Sequence, residues 1–298
     1  MNIAIIGSGG DGAGMNMCLY ELCKRLKKHN VLLFYRGYQG IIENSLAELS
    51  LKDLKSEKEK GGIVIKSSRS PEFMTEKGFD KALKTLKQNN VDLLIVMGGN
   101  GSLKGATALY KAGINVLFIP TTIDNDIAES DYSIGFDTAV NNAVDFVKKV
   151  DTSMQAFDRT CIYEVMGRHC PDIAECVAKI TNADYCYTSK STKEDCLQKL
   201  KKTLKKDLSP KVILQENVID ANELKKYLSD NLPKLDVKVA IVGYVQRGGD
   251  ATKKELIMAT KFAENVCMLI KQQEYNKIVC YVQTTNRFVA RKLEPTKE

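Results

Sequence analysis

The sequence is poor in the residues on which several kinds of catalytic and structural site depend. Its 298 residues include no tryptophan, and the only histidines are His29 and His169. With two histidines available, histidine acid–base catalysis is disfavoured. Neither a Ser-His-Asp set nor a cluster of metal ligands stands out.

Cysteine and long apolar runs give further exclusions. The nine cysteines are an odd number and form no CxxC pair, which suits neither a disulfide framework nor a zinc site. No apolar stretch approaches the ~20 residues that span a bilayer. Residues 1–7 carry a short apolar run without a basic flank, so we interpret them as a buried strand rather than a signal peptide. We therefore expect a soluble, cytoplasmic protein in a reducing compartment.

Composition is that of a globular protein with a sizeable core. The chain is 44% hydrophobic and 27% charged, and its length allows one large domain or two of medium size. The net charge is +7, but the basic clusters 24–28 and 201–206 have helical spacing and are interpreted as solvated lysine faces. Without groove-reading elements we expect no nucleic-acid partner. The positive balance suits anionic substrates.

Short β-branched runs bounded by glycine alternate with longer amphipathic segments. Predicted strands cover residues 3–6, 31–35, 63–65, 93–96, 116–119, 161–165, 212–214, 237–242 and 278–282. Predicted helices cover residues 15–28, 79–87, 103–112, 140–150, 172–180, 193–204, 222–228 and 252–270, with an exposed helix and loop at 51–62. Apolar strands followed by helices indicate doubly wound α/β units with parallel sheets. The pattern continues after residue 135, so we expect two such units, with the chain crossing back near 248.

Glycine-rich turns follow two of the predicted strands. Residues 9–16 read GGDGAGMN and residues 97–102 read MGGNGS, and each turn opens a helix. Glycine lets the backbone approach a phosphate, and a helix N-terminus favours anions. The first turn alone is as well explained by a tight connection. Two such turns at one sheet edge favour a polyphosphate ligand.

An acidic loop follows a third strand. Asp124 and Asp126 flank one asparagine in the sequence PTTIDND at 120–126. Phosphoryl transfer to a hydroxyl needs a proton acceptor and a ligand for Mg²⁺, and two carboxylates at a phosphate crevice supply both. A lone DND sequence would be better explained as a capped turn, but its position after a strand of the same sheet argues against that reading.

Arginines near turns complete the set of candidates. Arg69, Arg159, Arg168 and Arg247 each lie close to a turn residue. Guanidinium groups suit phosphate oxygens, although a single such arginine is more often a surface ion pair.

Taken together, these segments closely resemble the ATP-dependent 6-phosphofructokinase family over nearly the whole chain. The motifs occur in the family's order and are GGDGAGMN at 9–16, SSRSPEF at 67–73, GGNGS at 98–102, PTTIDNDI at 120–127, GFDTA at 135–139, EVMGRHCPD at 164–172 and VQRGG at 245–249. The resemblance implies two similar Rossmann-like three-layer αβα domains with mainly parallel sheets and an active site in the cleft between them. Residues 1–135 with 248–298 would form the larger, nucleotide-binding domain, and 136–247 the smaller, fructose 6-phosphate-binding domain.

The implied reaction is the glycolytic transfer of a phosphoryl group from MgATP to the 1-hydroxyl of fructose 6-phosphate. Asp124 matches the base, Arg168 the residue that stabilises the transferring group, and Thr122 and Asp126 complete the catalytic set. The implied nucleotide-binding residues are Gly9, Tyr38, Arg69, Ser70, Gly99, Asn100, Gly101, Ser102 and Gly105. The implied sugar-phosphate contacts are Thr122, Asp124, Arg159, Met166, Gly167, Arg168, Glu216, Lys238, Tyr244 and Arg247. The family also implies a homotetramer, in which Arg159 reaches a neighbouring subunit's site.

Some positions depart from the family pattern. Asn100 replaces an aspartate that holds Mg²⁺, which leaves Asp126 and Asn100 as the candidate metal residues. Lys238 and Tyr244 replace an arginine and a histidine. Gly101 favours ATP over pyrophosphate, and Val150, with Tyr20 and Lys24, indicates that the usual effector site is lost. The alternatives are a pyrophosphate-dependent or other sugar-phosphate kinase, and a catalytically weak regulatory paralogue.

Overall fold

The structure is a computed structural model that describes residues 1–205 and 208–293. Residue 206, which ends the basic cluster 201–206, lies outside the described residues. So do residues 294–298, which end the predicted first domain. The chain divides into two compact units, Met1–Asp137 with Gly249–Glu298, and Thr138–Gly248. The boundary predicted from the sequence lies two residues earlier where the chain leaves unit 1. It lies one residue earlier where the chain returns to unit 1.

Unit 1 is built on a six-stranded sheet with the order β10-β9-β4-β3-β1-β2. Its strands are β1 (Asn2–Ser8), β2 (Asn30–Leu33), β3 (Leu93–Gly98), β4 (Val116–Pro120), β9 (Lys277–Val282) and β10 (Arg287–Lys292). Its helices are α1 (Met15–Arg25), α2 (Gly37–Ile42), α3 (Leu51–Glu57), α4 (Glu76–Gln88), α5 (Asn100–Lys111) and α10 (Lys253–Lys271), with α6 (Phe136–Gln155) starting at its end. All pairings are parallel except that of β10 with β9.

Alternate residues of the central strands pack into two separate cores. Ile3 and Ile5 face a cluster formed with α1, α3 and α10, whereas Ala4 and Ile6 face a cluster formed with α2, α4 and α5. Successive side chains on a strand point to opposite faces, so an uninterrupted apolar run requires cover on both sides. Unit 1 is therefore a three-layer αβα structure.

Unit 2 has a four-stranded, fully parallel sheet with the order β6-β7-β5-β8. Its strands are β5 (Arg159–Val165), β6 (Tyr185–Tyr187), β7 (Lys211–Gln215) and β8 (Asp236–Ile241). Besides most of α6, its helices are α7 (Asp172–Thr181), α8 (Lys193–Thr203) and α9 (Ala221–Asn231). Ile162, Val212 and Leu214 pack against α8 and α9 in one core cluster.

The predicted fold class is confirmed, because the described structure is α/β with mainly parallel sheets. The predicted strand at 63–65 is wrong. Ile63 and Ile65 are buried, but the Val64 amide donates to Asn16 Oδ1 at 2.8 Å and the Arg36 amide donates to the Ile65 carbonyl at 2.9 Å. The backbone groups of this segment therefore form hydrogen bonds with a side chain and a loop instead of with a neighbouring strand. The sequence reasoning also missed β6, β10 and α2, which are short or exposed.

Candidate active site

The two glycine-rich turns and the acidic loop follow β1, β3 and β4, which are neighbours in the sheet of unit 1. Strand order reverses between β1 and β3, and ligands of doubly wound sheets bind at the carboxyl ends beside such a point. Hydrogen bonds join the turns. Ser102 Oγ donates to the Ser8 carbonyl at 2.9 Å, and the Thr121 amide donates to the Gly98 carbonyl at 2.9 Å. The fold therefore brings the three predicted segments together.

The acidic loop is held by its own polar side chains. Ser133 Oγ donates to the Thr122 carbonyl at 2.6 Å, and the Ser133 amide donates to Asn125 Oδ1 at 2.9 Å. Asn125 has a φ of 55°, a left-handed conformation that asparagine tolerates better than most residues. The Asp124 amide donates to Thr122 Oγ1 at 3.2 Å. Asp124 and Asp126, both half-buried, thus stand on a braced turn.

Asn100 connects the second glycine turn to the acidic loop. Its Nδ2 donates to the Asp126 main-chain carbonyl at 3.0 Å. A carboxylate at this position has no hydrogen to donate, so the amide gives the loop a link that aspartate would not. Among the described residues, no three His, Cys, Asp or Glu side chains are grouped as a metal site would require. The oxygen atoms of the Asp126 and Asn100 side chains suit a cation that is held largely by phosphates and water, as Mg²⁺ commonly is.

Tyr38 has a supporting position beneath the start of α5. It is 5% exposed, its ring stacks on Phe73 with 4.2 Å between centroids, and its hydroxyl donates to the Ser102 carbonyl at 2.6 Å. Burial raises the pKa of its phenol above the usual range. A Cβ at Gly105 would lie 2.8 Å from the Tyr38 ring, so glycine allows the helix to approach it. Tyr38 orders the turn at Ser102 from within the core.

The other nucleotide-binding candidates of unit 1 lie nearer the surface. Gly9, Gly101 and Arg69 are exposed, and Gly99 is half-buried. Ser67 Oγ donates to the Gly9 carbonyl at 2.8 Å, beside a cavity of about 450 Å³ whose lining also includes Lys66. The Ser70 hydroxyl donates to Gln39 Oε1 at 2.7 Å and accepts from the Phe73 amide at 3.3 Å.

In unit 2, six of the candidates lie after the carboxyl ends of β5, β7 and β8, whereas Arg159 and Lys238 lie towards the amino ends of β5 and β8 and are not brought together with them. Met166, Gly167 and Arg168 form the turn after β5. Glu216 follows β7, and its Oε1 accepts hydrogen bonds from the Gly167 amide at 3.0 Å and the Arg168 amide at 2.7 Å. These candidates are brought together, with Glu216 bound to the main chain of the arginine-bearing turn.

Two predicted phosphate-binding cations share one carboxylate. Arg159 Nε donates to Asp236 Oδ2 at 2.7 Å, and Lys238 Nζ lies 2.7 Å from Asp236 Oδ1. Hydrogen bonds from Lys238 and then Arg159 lower the pKa of the Asp236 carboxyl. The two cations are therefore adjacent, and an anion that binds them competes with Asp236. Tyr244 is 85% exposed.

A family comparison accounts for this arrangement. The family model described as Phosphofructokinase matches residues 2–270. The chain belongs to the phosphofructokinase family. A probable ATP-dependent 6-phosphofructokinase of Malacoplasma penetrans is 38% identical over 288 residues, covering 93% of this chain and 89% of that protein. An ATP-dependent 6-phosphofructokinase of Clostridium botulinum is 36% identical over 282 residues, covering 93% and 88%.

Solved phosphofructokinase structures share the fold. The Saccharomyces cerevisiae enzyme superposes with a TM-score of 0.87 at 26% identity, over 98% of this chain and 44% of the yeast chain. The Pichia pastoris enzyme in the T-state gives 0.88 at 27% identity, over 98% and 35%. This chain thus spans less than half of each fungal chain. A pyrophosphate-dependent phosphofructokinase of Marinobacter aquaeolei gives 0.82 at 17% identity, over 100% and 84%, and shows the fold alone.

Sequence reasoning missed the residues that brace the phosphofructokinase turns. They are Gln215 and Gln246 in unit 2, Ser133 and Asn125 in unit 1, and Asp236 between the two cations. Gln246 lies within the VQRGG motif. The one sequence feature that could have indicated its role was a polar residue at this position of the turn. The contacts of all five depend on residues distant in sequence or across a turn, which periodicity does not reveal.

Proposed function

We propose that this chain is an ATP-dependent 6-phosphofructokinase that phosphorylates the 1-hydroxyl of fructose 6-phosphate. The observation that carries the proposal is the hydrogen-bonded convergence of two glycine-rich turns on the loop that bears Asp124 and Asp126. Backbone amides of the turns suit the nucleotide phosphates, and the carboxylates suit a proton acceptor and a cation ligand. The names of the relatives at 36–38% identity agree with this activity.

ATP is the proposed donor rather than pyrophosphate. Gly101 is exposed on the first turn of α5, and nothing lies within 4 Å of the position a Cβ would take there. No protein atom therefore crowds the position beside Gly101. Carboxylate at this position would add charge repulsion against an α-phosphate, and glycine avoids it.

In the proposed reaction, Asp124 accepts the proton of the attacking 1-hydroxyl as the bond to the γ-phosphorus forms and the bond to the leaving ADP oxygen breaks. Thr122 orders Asp124 through its side-chain hydroxyl. Arg168 stabilises the negative charge on the transferred group and, with Arg247, binds the sugar phosphate, whereas Arg159, with Lys238 beside it, binds the sugar phosphate of a neighbouring subunit. Such positioning and charge stabilisation supply most of the rate enhancement in phosphoryl transfer.

Mg²⁺ is the proposed cofactor, bound together with ATP. Asp126 would supply the carboxylate ligand, and Asn100 would contribute its amide oxygen or a bound water. When bound, the cation neutralises charge on the β- and γ-phosphate oxygens. The Asn100 side-chain amide keeps its hydrogen bond to the Asp126 carbonyl. This bond holds the acidic loop in position.

The test is a coupled assay of the purified protein with fructose 6-phosphate and Mg²⁺, run with ATP and with pyrophosphate. We expect turnover with ATP that Asp124→Ala reduces by roughly 10²–10⁴-fold, the usual contribution of a general base. Asp80→Ala, at an exposed aspartate of α4, is the matched control and should retain the wild-type rate. Preference for pyrophosphate would overturn the choice of donor.

Asn100 motivates a second candidate, a regulatory paralogue that binds nucleotide without efficient turnover. Absence of activity with either donor, alongside calorimetric binding of ATP or sugar phosphate, would favour it. Turnover restored by Asn100→Asp would then locate the defect in cation binding.

A homotetramer is part of the proposal, with Arg159 contributing to a neighbouring subunit's site. Light scattering coupled to size exclusion should give four times the 33.2 kDa protomer mass. A monomer with full activity would contradict the shared site. For the described part of the chain, no helix combines the length and hydropathy needed to cross a membrane.

A further inference from the structure

The turn that carries Arg168 has a backbone conformation that its own residues do not favour. Gly167 has a φ of 149° and Arg168 a φ of 54°. The left-handed region is unfavourable for arginine by roughly 1–2 kcal/mol, so such a conformation persists only where its surroundings impose it. Side chains from other strand ends contact the main chain of this turn and hold its conformation.

Gln246, which is 0% exposed, is one of the residues that hold this turn in place. Its Oε1 accepts a hydrogen bond from the Met166 amide at 2.9 Å, and its Nε2 donates to the Met166 carbonyl at 3.4 Å. The side-chain amide therefore bonds both polar groups of one residue, as a neighbouring strand would. This happens just past the end of β5, where the ladder with β8 has finished.

Two side chains at the carboxyl end of β7 hold the residues that follow Met166. Glu216 Oε1 accepts from the Gly167 and Arg168 amides, and hydrogen bonds to a carboxylate are roughly twice as strong as neutral ones. Gln215 Nε2 donates to the Arg168 carbonyl at 3.3 Å. The main chain of residues 166–168 is thus fixed largely by side chains from two other strand ends.

Gln246 also belongs to the second arginine-bearing turn, since Arg247 follows it directly. Asn142 Nδ2, from α6, donates to the Gln246 carbonyl at 3.2 Å and to the Gly248 carbonyl at 2.7 Å. The main chain of the Arg247 turn is therefore anchored to α6 while the Gln246 side chain reaches the Arg168 turn. Gln246 therefore connects the main chains of the two arginine-bearing turns.

We propose that Gln246 is a positioning residue that fixes the Arg168 turn relative to the Arg247 turn, with Glu216 as its partner on the opposite side of the turn. The inference deepens the proposed function and rests on it, because the two arginines are taken to bind the sugar phosphate. A displacement of about 1 Å in such a group costs up to roughly a hundredfold in rate.

Gln246→Glu gives a test with an internal rescue. A neutral carboxylic acid has the donor and acceptor of the amide, whereas the carboxylate cannot donate to the Met166 carbonyl. Burial raises the pKa of a carboxyl, so protonation becomes accessible near neutral pH. We expect kcat/KM for fructose 6-phosphate to fall at least tenfold at pH 8 and to recover to within about threefold of wild type at pH 6. KM for ATP should stay within twofold at both values.

Gln198→Glu, at an exposed glutamine of α8, is the matched control and should follow the wild-type pH profile. Urea midpoints at both pH values separate a loss of stability from a loss of positioning. An active Gln246→Glu enzyme with the wild-type pH profile would overturn the inference.

Glu216 provides a second test should Gln246→Glu fail to fold. Glutamine keeps an Oε1 that accepts both amides, whereas alanine does not. We expect Glu216→Ala to lower kcat/KM for fructose 6-phosphate at least threefold more than Glu216→Gln does. Equal losses in the two variants would show that the negative charge, not the main-chain bonds, matters.

Calorimetric binding of fructose 6-phosphate distinguishes failure of this inference from failure of the proposed function. If the wild-type protein binds the sugar phosphate without turnover and Gln246→Glu weakens binding only at high pH, positioning stands and the kinase proposal falls. If the wild-type protein turns over and neither variant series behaves as expected, positioning falls alone.

Discussion

At the residue scale, Asp236 is the counter-ion of two cations proposed to bind phosphate. Because its carboxylate is paired with both Arg159 and Lys238, a phosphate that binds them competes with it. Exposed pairs are worth about 0.2–1 kcal/mol. We therefore expect Asp236→Asn to lower KM for fructose 6-phosphate by roughly two- to fivefold. Asp230→Asn, which breaks the exposed pair with Lys226, is the control. An increase in KM would show that Asp236 orients the cations instead.

Glu164 is a second residue whose charge state matters. Partial burial first, and then the charges of Glu216 and Asp220, raise the pKa of its carboxyl. A carboxyl with a higher pKa in the folded state binds more protons when folded. Its contribution to stability is thus fully present below the unfolded pKa, near 4.3, and is lost as pH rises through the folded value.

We expect Glu164→Gln to raise the urea midpoint at pH 7 and to lose that advantage below about pH 4, where glutamate is neutral as well. Glu48→Gln, at an exposed loop position of unit 1, should change neither midpoint. A lower midpoint for Glu164→Gln at pH 7 would mean that the ionised form makes a favourable contact.

At the element scale, α5 joins the glycine turn to the core through Tyr38. Gly105→Ala would gain roughly 0.5–1 kcal/mol from helix formation, but its Cβ would lie 2.8 Å from the Tyr38 ring. Overpacking costs about 1–3 kcal/mol, so the clash should dominate and the variant should be less stable. Gly101→Ala, in the same helix with open space around it, should be more stable. Urea unfolding of the two variants checks the opposite signs, and stabilisation by Gly105→Ala would refute the close contact.

The same scale explains why strand ends, rather than strands, carry the chemistry. In both units most candidate residues follow the carboxyl ends of adjacent parallel strands, and the bracing comes from the turn after a neighbouring strand. Asn100 reaches the loop after β4, and Glu216 reaches the turn after β5. Loops on a rigid sheet place several groups within hydrogen-bond distance although they are distant in sequence.

At the scale of the whole molecule, the proposal assigns the nucleotide to unit 1 and the phosphate group of fructose 6-phosphate to unit 2. Hydrogen exchange read by mass spectrometry should show this directly. We expect a non-hydrolysable ATP analogue with Mg²⁺ to slow exchange at 7–14 and 98–105, and fructose 6-phosphate to slow it at 164–168 and 244–248. The core strand 93–97 should be unaffected by either ligand, since it is already protected. Protection of the second set by the nucleotide alone would reverse the assignment.

Two features of the protein could be read from the sequence alone. The alternation of apolar strands and amphipathic helices determined the α/β class, because a strand without polar positions must be covered on both faces. The glycine turns and the acidic loop identified the candidate site of unit 1, because phosphate binding requires backbone access and phosphoryl transfer requires carboxylates.

Tertiary structure alone decided how these groups are held. That the 63–65 run is a loop follows from the Asn16 contact, and the pairing of Arg159 with Asp236 follows from strand register. The role of Gln246 follows from the meeting of turns 80 residues apart. Periodicity encodes which face of an element is buried, whereas a hydrogen bond between distant turns depends on where the completed sheet brings them together.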